Sequence, residues 1–325
     1  MQLPRRRFLQ LAATGAAAPF YSGLARAQAY PSRAVRILVG FPPGGTPDIA
    51  ARLIGKALAE RLGQPFVIEN RAGAATNIAT EAVVRAPADD YTLLAAVSSN
   101  SVNASLYEKL KFNFIRDIEM VAGVIKSPLV LEVHPSLPVT TVPEFIAYAK
   151  ANPGKVTLAS FGTGTISHVT AELFKMHTGT NMTHVPYKGS GPLVNDLVAG
   201  HVLAAFDNLP ASIEQIRAGK LRALAVTTAT RWESLPVTPT VSDFVPGFES
   251  TAWVAIAAPK RTPGEIVARL NSEINSIIAE PGMKSRFGGL GASPFAASPQ
   301  ELGRIVVEET EKWAKVVKSA NVKAE

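Results

Sequence analysis

The run Val35-Arg36-Ile37-Leu38-Val39-Gly40-Phe41 is almost continuously apolar and ends at Pro42-Pro43-Gly44-Gly45-Thr46-Pro47-Asp48, after which Ile49, Leu53, Ala57 and Leu58 recur at helical spacing. This reads as a buried strand, a glycine-bearing loop and an amphipathic helix. The same alternation continues with strand 66–69, a helix near 77–85, strand 91–97 and a helix near 102–110. A second series begins with strand 129–133 and helix 142–151. It runs on through strand 157–160, helix 167–177, strand 183–185, helix 192–199 and strands 203–206 and 221–227. A third apolar run, 252–258, leads to an amphipathic helix at 263–278. A long helix from 299 to about 318 follows, with Leu302, Ile305, Val306, Trp313 and Val316 as its buried stripe. Two strand–helix series of this kind predict an α/β chain with two parallel-rich sheets.

The first residues stand outside this pattern. Arg5-Arg6-Arg7-Phe8-Leu9, an apolar run from Leu11 to Phe20, and Ala25-Arg26-Ala27 or Ala27-Gln28-Ala29 form a twin-arginine export leader with an A-x-A cleavage signal. The apolar run is too short to span a bilayer comfortably. Residues 1–29 are therefore expected to be removed, which places the mature protein in the periplasm. The whole chain carries 33 Lys plus Arg against 26 Asp plus Glu; without the leader's four arginines the balance is 29 against 26, or +3. That is too mild for a nucleic-acid partner. There is no cysteine, so disulfides, thiolate metal sites and a cysteine nucleophile are excluded.

The candidate chemistry sits at strand ends, where open α/β sheets place ligands. In the first loop Phe41 and Pro43 precede Gly44 and Gly45, which lack the Cβ that would keep a ligand from the main chain. Thr46 is expected to cap the helix, with Asp48 in its first turn. The free N–H groups of such a helix start can hold a carboxylate or phosphate. A second loop, Gly162-Thr163-Gly164-Thr165 with Ser167 and His168, offers the same neutral rim, and it is neither a Walker loop nor a dinucleotide fingerprint. Ser98, Ser99 and Asn100 follow one strand, and Asp207 and Asn208 follow another. Four polar, acid-poor loops on two α/β series point to a ligand closed between two lobes.

No enzymatic activity, cofactor or metal is expected. Ser167, His168 and Asp207 could be drawn as a triad, but adjacent Ser and His diverge on a helix, and there is no Gly-x-Ser-x-Gly elbow. His134, His177, His184 and His201 lack metal-site spacing. A periplasmic hydrolase and a ligand-sensing receptor for a signalling kinase remain as alternative readings of the same pocket.

Phe41 to Gly45 with Asp48 and Ala51-Arg52, Glu69-Asn70-Arg71-Ala72-Gly73, and Tyr91-Thr92-Leu93-Leu94 resemble, in order, the periplasmic solute receptors of tripartite tricarboxylate transporters, the Bug-type family. The likeness continues through Gly162 to Thr165, His168, Glu172-Leu173-Phe174, Val185-Pro186-Tyr187-Lys188-Gly189, Phe206-Asp207 and the stretch from Gly219 to Val226. The resemblance implies a two-lobe type II periplasmic-binding fold with crossovers near 129–135 and 251–259. Residues 30–130 and 253–325 would form one lobe and 131–252 the other. It also implies that loops 42–46 and 162–165 act as pincers on a small carboxylate near Asp207. The partners it implies are membrane permease subunits, with the receptor a monomer. Two departures stand out: Ala72-Gly73-Ala74-Ala75-Thr76 where such proteins carry Pro-Gly-Ala-Gly-Gly, and Asp89-Asp90 where they carry Asp-Gly.

Overall fold

The computed structural model describes residues 30–88, 91–107 and 109–324; residues 1–29, read above as an export leader, and Asp89-Asp90 lie outside them. Strands β1 (Val35–Val39), β2 (Phe66–Asn70) and β3 (Thr92–Val97) are parallel in the order β2-β1-β3, connected by helices α1 (Thr46–Leu62) and α2 (Asn77–Val84). Ile37, Leu93, Ala95 and Val97 pack into one core, while Leu38, Leu94 and Ala96, pointing the opposite way, pack into another. A sheet covered on both faces needs apolar residues at successive positions, which is why these strands read as continuous runs.

Helices α3 (Ser99–Leu106) and α4 (Phe114–Asp117) lead into β4 (Ile118–Val133). A second series follows: α5 (Val142–Ala151), β5 (Thr157–Ser160), α6 (Ile166–Thr178), β6 (Thr183–Pro186), α7 (Ser190–Val198), β7 (Ala204–Asn208), α8 (Leu209–Arg217) and β8 (Arg222–Val226). Here β7, β5 and β6 are parallel neighbours, mirroring the first triplet. The chain closes with β9 (Thr251–Pro259), α9 (Gly264–Ala279), α10 (Pro281–Gly289), β10 (Ser293–Pro294) and α11 (Pro299–Ser319).

β4 joins the two triplets. Up to Pro128 it is antiparallel to β9, and from Leu129 onward it pairs with β7 and β8. The sequence pattern predicts only its last five residues as strand, because Gly123 and Pro128 look like breakers. Both have specific reasons to be there. A Cβ on Gly123 would lie 2.1 Å from the Phe295 carbonyl oxygen, and the β4–β9 register shifts on either side of it. Pro128 sits where β4 leaves one partner for the others, and the next residue is clamped by Leu129 N donating to Thr227 Oγ1 at 3.0 Å.

The last helix also links the halves. Leu302 and Val306 pack on the first sheet, whereas Trp313, Val316 and Val317 pack into the core of the second half. Ile305, expected in the buried stripe, is half-exposed, and Val317 takes its place.

Candidate functional site

Gly45, not Thr46, is the N-cap of α1, with φ −78° and ψ 165°, and no side chain caps the helix. Thr46 is already its first helical residue. The stabilising role falls instead to Asp48, which accepts from Gly44 N at 3.0 Å through Oδ2. Arg52 and Asn70 hold the same carboxylate, Arg52 Nη2 at 2.9 Å and Asn70 Nδ2 at 2.9 Å from Oδ1. Burial pushes the Asp48 carboxyl up, but Arg52, Gly44 N–H and Asn70 together outweigh it and hold it below its usual range. Asp48 is thus a strut of the loop. What remains open at this helix start is the N–H of Gly45 and of Thr46, neither with an acceptor among the described residues, and Thr46 Oγ1, buried and unpartnered.

The second loop repeats the construction. Thr165 caps α6 with φ −79° and ψ 165°, and Gly164 N donates to His168 Nδ1 at 3.1 Å, the same four-residue offset as Gly44 to Asp48. Gly164 has φ +77°, and a Cβ there would meet Leu106 Cδ2 at 2.1 Å. Other donors of this loop are also used: Gly162 N to Ser160 Oγ at 3.3 Å, Thr165 N to Gly162 O at 3.2 Å, and Ile166 N to Ser99 Oγ at 3.1 Å. His168 stacks on His184 with ring centres 3.8 Å apart, and its Nε2 lies 3.7 Å from Glu172. Burial pushes His184 down to about 3, so that ring stays neutral. Its Nε2 bonds Ser160 Oγ at 2.7 Å.

Ser98 and Ser99 face the cleft, whereas Asn100 and Asn103 hold its wall. Asn100 Nδ2 donates to Thr76 Oγ1 at 2.8 Å, and Asn103 Nδ2 donates to the Ala75 carbonyl at 2.7 Å. Between them they fix Ala74, Ala75 and Thr76 at φ of 45°, 47° and 80°. Left-handed backbone costs a residue with a Cβ about 1–2 kcal/mol, so this turn carries strain that glycines would not.

Two cavities meet at the edge-on pair Phe41 and Phe161, whose ring centres are 6.0 Å apart. The inner one, of about 40 Å³, is bordered by Phe41, Pro43, Gly45, Thr46, Ser98, Ser99 and Asn208 from the sequence-based set, and also by Ser127, Ser190 and Trp253. The outer one, of about 530 Å³, is bordered by Gly162, Thr163, Thr165, the 72–76 turn, Tyr107 and Tyr187. Lys188 borders both; among the described residues it is the one cationic residue on either wall, and none of them brings a carboxylate to either. Gly44, Asp48, Asn100, Gly164, His168 and Asp207 border neither cavity. Asp207 is fully buried and accepts from Ser190 Oγ at 2.5 Å. Lys188 and Ser190 follow β6 and so obey the strand-end rule that located the other loops. Ser127 and Trp253 lie inside long strands and carry no such signal.

A donor-rich, acid-free cleft with one lysine is suited to a small anion. A family model described as the tripartite tricarboxylate transporter family receptor matches residues 50–322. The chain is 38% identical over 316 residues to protein BugT of Bordetella pertussis, covering 96% of this chain and 95% of that protein. Among solved structures, Rpa4515 of R. palustris with adipate is 40% identical with a TM-score of 0.87, covering 90% of this chain and 99% of that one. MatC of Rhodopseudomonas palustris with bound malate is 30% identical with a TM-score of 0.83, covering 89% and 100%. No helix among the described residues is long and apolar enough to cross a membrane. Family, fold and relatives agree, and this chain belongs to the tripartite tricarboxylate transporter receptor family, built on the two-lobe type II periplasmic-binding fold.

Proposed function

We propose that this receptor, exported by the twin-arginine route, captures a small dicarboxylate between its lobes as a monomer and delivers it to membrane permease subunits. The lobes are residues 30–130 with 253–325, and 131–252. The observation that carries the ligand class is the wall chemistry among the described residues: one lysine, no carboxylate, and unpartnered Gly45 N–H, Thr46 N–H and Thr46 Oγ1 at the start of a 17-residue helix. The positive end of that helix favours an anion, and the open donors give it charge-assisted hydrogen bonds. Lys188 supplies a second anchor, as a dicarboxylate requires. Adipate and malate, the molecules held by two relatives, set the size range.

Capture rather than catalysis fits the same residues. Ser167 Oγ donates to the Phe206 carbonyl and His168 Nδ1 accepts from Gly164, so the pair forms no nucleophile and base. Thermal unfolding with adipate, malate, a tricarboxylate and neutral diamides tests the reading. A bound acid at 100 times its Kd should add about 2.7 kcal/mol of stability. Stabilisation by the neutral compounds alone would overturn it.

A further inference from the structure

Behind Ser190, two carboxyl groups are sealed into the second half of the fold. Glu132 of β4 and Asp207 of β7 are each 0% exposed. The register pairs Val130 with Asp207 and Glu132 with Ala205, so the two side chains leave the same face of neighbouring strands, diagonal to one another and within reach. Asp207 Oδ1 accepts from Ser190 Oγ at 2.5 Å, while Asp207 Oδ2 and both Glu132 oxygens have no partner among the described residues. Ser190 borders the inner cavity beside Asn208, whose Oδ1 is also unpartnered.

The charged groups on the elements packed against the pair are engaged elsewhere. Arg222 of β8 donates to the Leu137 and Val139 carbonyls, and Glu214 and Arg217 of α8 pair with each other. Asp196 of α7 accepts from the Tyr187 hydroxyl, and His168, Glu172 and Lys175 of α6 form their own chain. Two buried carboxyls with no cation cannot both ionise without a large penalty, so the pair keeps a proton. Burial first, and then Asp207, pushes Glu132 well up, and burial pushes Asp207 up to about 7.

We propose that proton uptake by the Glu132–Asp207 pair turns the Ser190 hydroxyl from an acceptor into a donor toward the cleft, so that acidification tightens carboxylate capture; this rests on the dicarboxylate reading above. While Asp207 is ionised, Ser190 spends its proton on Asp207 and shows the cleft only lone pairs, which repel a carboxylate. Once a proton from solvent sits on Asp207, its O–H donates to Ser190 Oγ. The Ser190 O–H is then free to point at the ligand. Bound anion, in turn, favours the protonated pair.

Calorimetry with adipate from about pH 6 to 9 tests this. The liganded state binds the proton more tightly, so affinity is highest below the free pair's titration and weakens as pH rises above it. The limit for one proton is about tenfold per pH unit. Asp207→Asn, whose amide donates to Ser190 at every pH, should bind adipate tightly with no pH dependence. Ser190→Ala, placed on the cavity wall, should bind weakly at every pH and carries the test if Asp207→Asn fails to fold. A wild-type Kd constant across the range overturns the coupling and leaves carboxylate capture standing. A slope that persists in Ser190→Ala also overturns it. Absence of adipate binding at any pH overturns the dicarboxylate reading, and the coupling with it.

Discussion

Replacing Thr46 by valine should separate binding from folding, because its hydroxyl has work to do only when ligand is present. In the unliganded protein Thr46 Oγ1 is buried without a partner, and it does not cap the helix. A buried unmet hydroxyl costs about 1–3 kcal/mol, so an isosteric apolar side chain should leave stability unchanged or raise it by roughly 1 kcal/mol. Binding should move the other way. A hydrogen bond to a charged group is worth about 1.5–3 kcal/mol, so adipate should bind roughly ten- to 150-fold more weakly to Thr46→Val. Urea unfolding with an unchanged slope gives the stability, and calorimetry gives the affinity. Thr46→Ser keeps the hydroxyl and should retain affinity within a few fold. A variant that loses stability but binds normally would refute the reasoning, since Thr46 would then be part of the frame.

Lys188→Met should weaken adipate by about 1.5–3 kcal/mol while changing the affinity of a monocarboxylate far less, as calorimetry with both acids would show. Ala75→Gly should stabilise the protein by about 1 kcal/mol in urea unfolding, because φ of 47° strains alanine and not glycine. Glu309 accepts from Trp253 Nε1 at 2.9 Å, and burial pushes its carboxyl up to about 7. The folded state therefore holds this proton more tightly than the unfolded chain. Stability should fall as pH rises from about 4.5 to about 7 and then level off, and Glu309→Gln should remove up to about 3 kcal/mol of that fall in melts across pH.

Local periodicity carried much of the fold. Helix α5 and strand β5 have the bounds read from the pattern, and the buried runs of β1, β3 and β9 fall where continuous apolarity placed them. The first part of β4 was hidden because Gly123 and Pro128 are set by contacts with Phe295 and a change of strand partner, neither of which is local. Helix α8 was missed because β7 runs straight into it, although Asn208 at the N-cap and Pro210 in the first turn mark a helix start. The cleft loops were legible as strand ends. Which atoms remain open within them was not, since Gly44 and Gly164 look like free donors until Asp48 and His168 are seen to hold them. Asp207 reads as a ligand group from its place after Phe206, yet the strand turns it inward to Ser190.

The central claim is that the cleft reads negative charge through open N–H and O–H groups and one lysine. Its most direct test is calorimetry with adipate and with its neutral diamide, which match in length and shape. The account predicts that adipate binds and that the diamide is weaker by at least about a hundredfold. Equal affinity for the two would contradict it.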